Sequence, residues 1–242
     1  MIDLIKSRMN HFSYREWISY FADNDLKRLN MDFSQEEFLS VEKQSLIFPS
    51  IRAFQKGEGS DGICLMKTVE SSIVHLEEPA YKEAMLWFIK EENCHSAYLK
   101  KYMDYYRIAS QNHSFLDRVF RLLRQAGGLK CEITVLVTAE MIALTYYDAL
   151  SRCTESPVLK SICQQMLHDE LPHIIFQSYT LSHFKNHFLY NFLRILFTEI
   201  TLLFVWGAFH SVYQSGGYSF LLFLKENLGY LRQSLYLSKR HL

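Results

Sequence analysis

The sequence predicts an all-α fold, and three observations carry that prediction. Only four prolines and nine glycines occur in 242 residues, too few punctuation points for a many-turned β-protein. No stretch sustains the two-residue alternation of a half-buried strand. Apolar residues instead recur at three- and four-residue spacing through several long segments, the period of a helix with one buried face. Apolar residues make up 49% and charged residues 21%, so the chain can bury a full core and disorder is excluded. The length suits one domain spanning residues 1–242.

Ser34-Gln35-Glu36-Glu37 has the form of a capping box ahead of an apolar-periodic stretch, so a helix is expected to start there. Pro79 follows two glutamates and opens a helical pattern reaching about Arg107. Gly127-Gly128 precedes a helix expected at about Lys130–Ser151. Ser156-Pro157 opens another, reaching about Leu181. Gly216-Gly217 divides the last sixty residues into two helices. A central bundle is therefore expected over about 45–182, followed by a helical extension over about 185–242.

Charge and cysteine usage narrow the function. Lysine plus arginine equals aspartate plus glutamate at 26 each, and no long basic tract exists. Nucleic-acid binding through bulk electrostatics is not indicated. Five irregularly spaced cysteines read as reduced thiols of a cytoplasmic protein. The opening residues MIDLIKSRMNHF lack the apolar stretch of a signal peptide. Residues 187–209 are rich in Phe and Leu, but Asn191, Arg194 and Glu199 interrupt them. The clean run from Ile200 to Phe209 is too short to span a bilayer, so no transmembrane segment is expected. Phe188–Phe209 should be buried, either against the bundle or in a homodimer.

One internal repeat carries the chemistry. Glu92 lies thirteen residues after Pro79, and Glu170 thirteen residues after Pro157. Each glutamate is followed three residues later by a histidine, His95 or His173, and preceded by an acid, Glu91 or Asp169. Glu-x-x-His places a carboxylate and an imidazole on one helical face. Phe88, Ile89, Leu99 and Met103 share the first face, and Met166, Leu167 and Gln177 share the second. Ionisable groups on such faces are costly unless paired or metal-bound.

A two-metal carboxylate bundle draws one more glutamate from each of two further helices. Glu140 is the only acid in an apolar run of fifteen residues and precedes Glu170 by thirty, the spacing of an antiparallel helix pair. A core glutamate held by an arginine is the alternative. The fourth helix is less clear. Glu58 lies thirty-four residues before Glu92, but it sits in GEGSDG, a loop by propensity. Glycines beside a ligand would let neighbouring helices approach closely.

These residues resemble a known family. EENCH (Glu91–His95) is similar to the EENRH motif of soluble acyl-carrier-protein desaturases, and DELPH (Asp169–His173) is similar to their DExxH motif. The resemblance extends in order and rough spacing to Glu140 and Glu58 and covers about residues 50–180. Ferritin-like di-iron oxidases and N-oxygenases share the pattern more broadly. The chain is shorter than the plant desaturases.

The resemblance implies a ferritin-like four-helix bundle with extra N- and C-terminal helices. Glu58, Glu92 and His95 would serve one iron, and Glu140, Glu170 and His173 the other, with some carboxylates bridging. Carboxylate and imidazole donors suit iron or manganese, so a manganese or mixed manganese–iron pair is the alternative loading. Glu91 and Asp169 would accept imidazole N–H groups and fix the tautomers. Tyr147 follows Glu140 by nearly two turns and could face the metals as a redox-active group; ordinary packing is the other reading. Pro172 removes a helical hydrogen bond beside His173, so a kink or bulge is expected there. The implied activity is an oxidase or oxygenase that uses O2 to desaturate, hydroxylate or N-oxygenate a small or carrier-bound substrate. An external electron donor would serve it. The alternatives are a ferroxidase or iron-handling subunit and a non-catalytic metal-binding bundle.

Overall fold

The computed structural model describes residues 2–59, 62–76, 78–111 and 127–239. Among these the chain is all helix, with no strand. Among the described residues two short 3-10 turns, Leu4–Lys6 and Arg8–His11, precede eight α-helices. In chain order these are α1 (Tyr14–Asp25), α2 (Val41–Glu58), α3 (Gly62–Leu76) and α4 (Ala80–Tyr105), then α5 (Gly128–Cys153), α6 (Pro157–Ser182), α7 (Phe188–Ser215) and α8 (Phe220–Leu237). The backbone divides into two compact units. The first comprises His11–Glu132 and Ser156–Ile162; the second comprises Met1–Asn10, Ile133–Glu155 and Cys163–Leu242.

In the first unit, α1 opens on a capping box: Ser13 Oγ accepts from the Glu16 backbone N–H and Glu16 accepts from that of Ser13. Its buried face is aromatic, with Trp17 and Phe21 inside. Phe21 meets Phe88 of α4 edge-on with ring centroids 6.5 Å apart. Tyr14 packs on Tyr81, also of α4, at 5.0 Å.

The Ser34–Glu37 box does not start a helix. α2 begins at Val41, where Ser40 Oγ accepts from the Lys43 N–H at 3.2 Å. Glu36 is used elsewhere. It is buried, accepts from the Tyr106 hydroxyl at 2.7 Å, and accepts from the Val158 backbone N–H at 3.2 Å. Its carboxylate thus caps the first turn of α6, where orphan N–H groups and the helix dipole favour an anion.

Glu58 is the last residue of α2 rather than part of a loop. A Cβ on Gly59 would lie 2.7 Å from Ser96 Oγ, and one on Gly62 would lie 2.6 Å from Ile89 Cγ2. Both glycines let their helix ends approach α4 closely. Pro79 occupies the N-cap of α4, without a side-chain cap, rather than its first turn.

In the second unit, α6 runs through Pro172 without a break. Its start, in the first unit, matches expectation: Ser156 Oγ accepts from the Leu159 N–H at 2.9 Å ahead of Pro157. Polar pairs tie α5 to its neighbours. Asn227 of α8 donates to Thr145 at 3.1 Å, and Thr134 and Tyr190 share a hydrogen bond of 2.5 Å. Gly216 is required by contact, because a Cβ there would sit 2.3 Å from the Ala149 carbonyl oxygen.

α5 and α7 are both long and apolar enough to cross a membrane by length and composition. The apolar window of α5 is 83% buried within the protein, and that of α7 only 28%. Along α7, Phe188, Leu189, Phe192, Leu193, Leu196, Ile200, Leu203 and Phe204 form an exposed stripe. Of the two covers expected for this segment, the bundle of its own chain does not supply one. Along the same stretch the helix buries Arg194, Thr198, Thr201 and Leu202 instead. The four cysteines with described side chains, Cys94, Cys131, Cys153 and Cys163, are free thiols. The side chain of Cys64 lies outside what is described.

Candidate metal centres

Each Glu-x-x-His helix gains a third ligand from a helix in its own unit. In the second unit, α6 supplies Glu170 and His173 from one face, and α5 supplies Glu140. His173 Nδ1 lies 3.3 Å from Glu170 Oε2 and 3.9 Å from Glu140 Oε2. All three are buried, Glu170 and His173 completely. In the first unit, α4 supplies Glu92 and His95, and the last residue of α2 supplies Glu58. His95 Nδ1 lies 3.5 Å from Glu92 Oε1 and 4.0 Å from Glu58 Oε2. His95 is fully buried, whereas the side chains of Glu58 and Glu92 keep 9% and 17% of their surface exposed.

Within each triad the candidate ligand atoms lie within 4.8 Å of one another. Ligand atoms about 2.0–2.2 Å from a cation stand roughly 3 Å apart at right angles and up to about 4.4 Å apart when opposed. The imidazole–carboxylate separations of 3.3–4.0 Å fall inside that interval in both triads. The donor chemistry agrees: two hard carboxylates and one borderline imidazole are donors for a divalent metal ion. The clustered groups could hold a metal ion.

The flanking acids have polar partners of their own. Asn24 of α1 donates to Glu91 Oε1 at 2.5 Å. Asp169 accepts from Gln165 at 2.8 and 3.0 Å and contacts His168 Nδ1 at 2.8 Å. Tyr147 is buried, its ring 5.1 Å from that of Tyr146. Asn24 carries no signal in the sequence, since its role depends on α1 lying along α4. Glu132 is a further buried acid that spacing did not single out. Its charge, after burial itself and the neighbouring Tyr14, helps hold the Tyr81 phenol well above its ordinary pKa.

Arg194 is the residue that the sequence most misrepresents. It reads as an interruption of an apolar helix, yet it is almost completely buried and donates to Ser234 Oγ at 2.6 Å and Ser238 Oγ at 3.3 Å. Comparisons with known protein families, with curated proteins and with solved structures give no match.

Proposed function

We propose that this protein is an O2-dependent, non-haem di-iron oxidoreductase that holds one iron per triad. The observation that carries the reading is the pair of like triads. Each joins a Glu-x-x-His helix to one glutamate from another helix, with imidazole Nδ1 within 4.0 Å of two carboxylates. On this reading α2, α4, α5 and α6 are the four helices of a ferritin-like bundle, with the remaining helices as extensions.

Two ferrous ions held in this way would supply the electrons that reduce dioxygen. The residues of the chain bind and position. Glu140 and Glu170 place negative charge where water is excluded, which favours a divalent cation over a proton only if the cation is held by several donors at once. His95 and His173 each direct Nδ1 toward their carboxylates, so neutral imidazole must present that atom without a proton to act as a ligand. The organic substrate is desaturated, hydroxylated or N-oxygenated, and an external electron donor resets the irons. The uncovered stripe of α7 fits a homodimer contact, and the free thiols fit a cytoplasmic location.

Aerobic ferrous loading tests the class. An oxidase stops near two irons per chain, whereas a storage subunit continues to accumulate iron. A chain that takes up two irons yet leaves O2 untouched after reduction is a non-catalytic metal-binding bundle. Magnetic coupling between the two irons, read by Mössbauer spectroscopy, tests whether they act as a pair.

A further inference from the structure

The second unit contains a buried cation that the metal triads do not use. The Arg194 guanidinium is 2% exposed, and both of its hydrogen bonds go to neutral serine hydroxyls, Ser234 and Ser238. Its Nε has no partner, and no carboxylate among the described residues pairs with it. Arginine keeps its charge at any working pH and carries five N–H donors. A buried charge without a counterion is strongly disfavoured.

A second, independent observation lies on α6. Gln177 is fully buried, and neither its amide nitrogen nor its amide oxygen has a hydrogen-bond partner. Its spacing, four residues after His173 and seven after Glu170, puts it on the face that carries those ligands. The next residue, Ser178, shares a 2.5 Å hydrogen bond with Ser234, the serine that accepts from Arg194. A polar track therefore runs from the guanidinium through Ser234 to Ser178, which follows Gln177 in sequence and stands about 100° from it around α6. Ser178 lies five residues beyond His173, an axial rise of about 7.5 Å.

We propose that Arg194, with Ser234 and Ser238, binds the free carboxylate of a small organic acid whose reacting end lies toward Glu170 and His173. The guanidinium supplies the counter-charge and the forked donors that a carboxylate takes up. Gln177 supplies one donor and one acceptor for a polar group along the body of the acid. This assignment rests on the oxidase reading and sharpens it, because an acyl chain carried as a thioester has no carboxylate to offer. The substrate is a compact free acid, about one to two helical turns long between its anion and its reacting atom.

Binding to the metal-free, full-length protein tests the site separately from the iron chemistry. The probes are benzoate and octanoate, their neutral amides, and inorganic phosphate, each titrated by calorimetry. The acids should bind saturably, and at least tenfold tighter than the amides. Arg194→Gln should weaken acid binding at least tenfold, and Arg232→Gln, at an exposed position of α8, should leave it within twofold. Ser234→Ala, which keeps the charge and removes one hydroxyl, should weaken it severalfold and serves where Arg194→Gln does not fold. Equal binding of acids and amides, no saturable binding, unchanged affinity in the Arg194 or Ser234 variants, or phosphate binding as tightly as the acids overturns the proposal. If the acids bind as expected but the iron-loaded protein never consumes O2, the oxidase reading fails and the carboxylate site stands.

Discussion

The two triads share a motif but not an environment. Glu92-x-x-His95 and Glu170-x-x-His173 sit near the middle of two helices of 26 residues each. Around Glu170 everything is sealed, whereas Glu92 keeps 17% of its side-chain surface exposed. The difference comes from the third ligand. Glu140 lies well inside α5, between apolar turns on both sides. Glu58 is the last residue of α2, followed by Gly59, which has no side chain to cover it. The motif fixes which donors are present, and the helix delivering the third donor fixes how much water reaches them. The inner triad should therefore hold its ion more tightly and exchange it more slowly.

Removing an imidazole from each triad gives the largest effect. His173→Ala should abolish O2 uptake and leave at most one iron per chain by elemental analysis. His95→Ala should also stop turnover while retaining the inner iron. If His95→Ala loses both ions and His173→Ala loses neither, the ranking of the triads is reversed.

A chelator should sharpen the comparison next. Added to the ferrous protein, bipyridine should remove iron in two phases, the outer ion leaving at least about tenfold faster because water can replace its carboxylates stepwise. A single phase for both ions would mean that the difference in exposure has no kinetic consequence.

Stability of the metal-free protein should respond to the acids in proportion to burial. Glu140→Ala relieves a buried carboxylate and should raise stability by on the order of 1 kcal/mol, while destroying the inner site. Glu58→Ala, at a helix end near water, should change metal-free stability by less than about 0.5 kcal/mol. Urea denaturation of the two variants reads this directly, and equal shifts would show that the two carboxylates are desolvated alike.

The smallest effect concerns the tie between α1 and α4 in the unit that carries the outer triad. Lys90 donates to Asp25 at 2.8 Å, and Arg28 also pairs with Asp25. The Lys90 hydrogen bond holds the Asp25 carboxyl below its ordinary pKa. A depressed folded-state value means that the pair's stabilisation is present above the unfolded carboxylate pKa of about 3.9 and is lost as pH falls through the lower folded value. Lys90→Met should cost under about 1 kcal/mol at pH 7 and nothing measurable well below pH 3, because both partners are partly exposed.

Much of this architecture is readable before folding. Proline and serine at 156–157, and the glycines at 127–128 and 216–217, place the ends of α5, α6, α7 and α8 to within a few residues, because those signals act through local backbone chemistry. The duplicated motif singles out four of the six triad residues, Glu92, His95, Glu170 and His173, since helical period alone puts each Glu-x-x-His on one face, and Glu140 stands out as the lone acid of an apolar run. What the sequence hides is tertiary. Glu36 looks like the cap of the next helix, but caps α6 across 122 residues. Glu58 looks like a loop residue because glycine propensity is local, while the packing of α2 against α4 is not. Arg194 reads as a solvent-facing break because its partners, Ser234 and Ser238, lie 40 and 44 residues further on. The exposed stripe of α7 has the composition of a core helix, and only the burial of its opposite side shows which way it faces.

The hydrogen bond from the Leu4 N–H to Gln233 Oε1, 2.6 Å long and spanning 229 residues, sets an order of events during synthesis. At about 5–20 residues per second, a ribosome needs roughly 10–50 s to deliver Gln233 after Leu4 has emerged. α1 to α4 pair largely with one another and can pack within that interval, whereas the Leu4–Lys6 turn has to wait for α8. The contacts that α8 makes with Leu4, Thr145 and Ser178 therefore form only after α8 leaves the ribosome. A chain stalled before α8 would keep the packing of α1, α2 and α3 on α4 while Asn227 and Ser234 were still missing from beside Thr145 and Ser178.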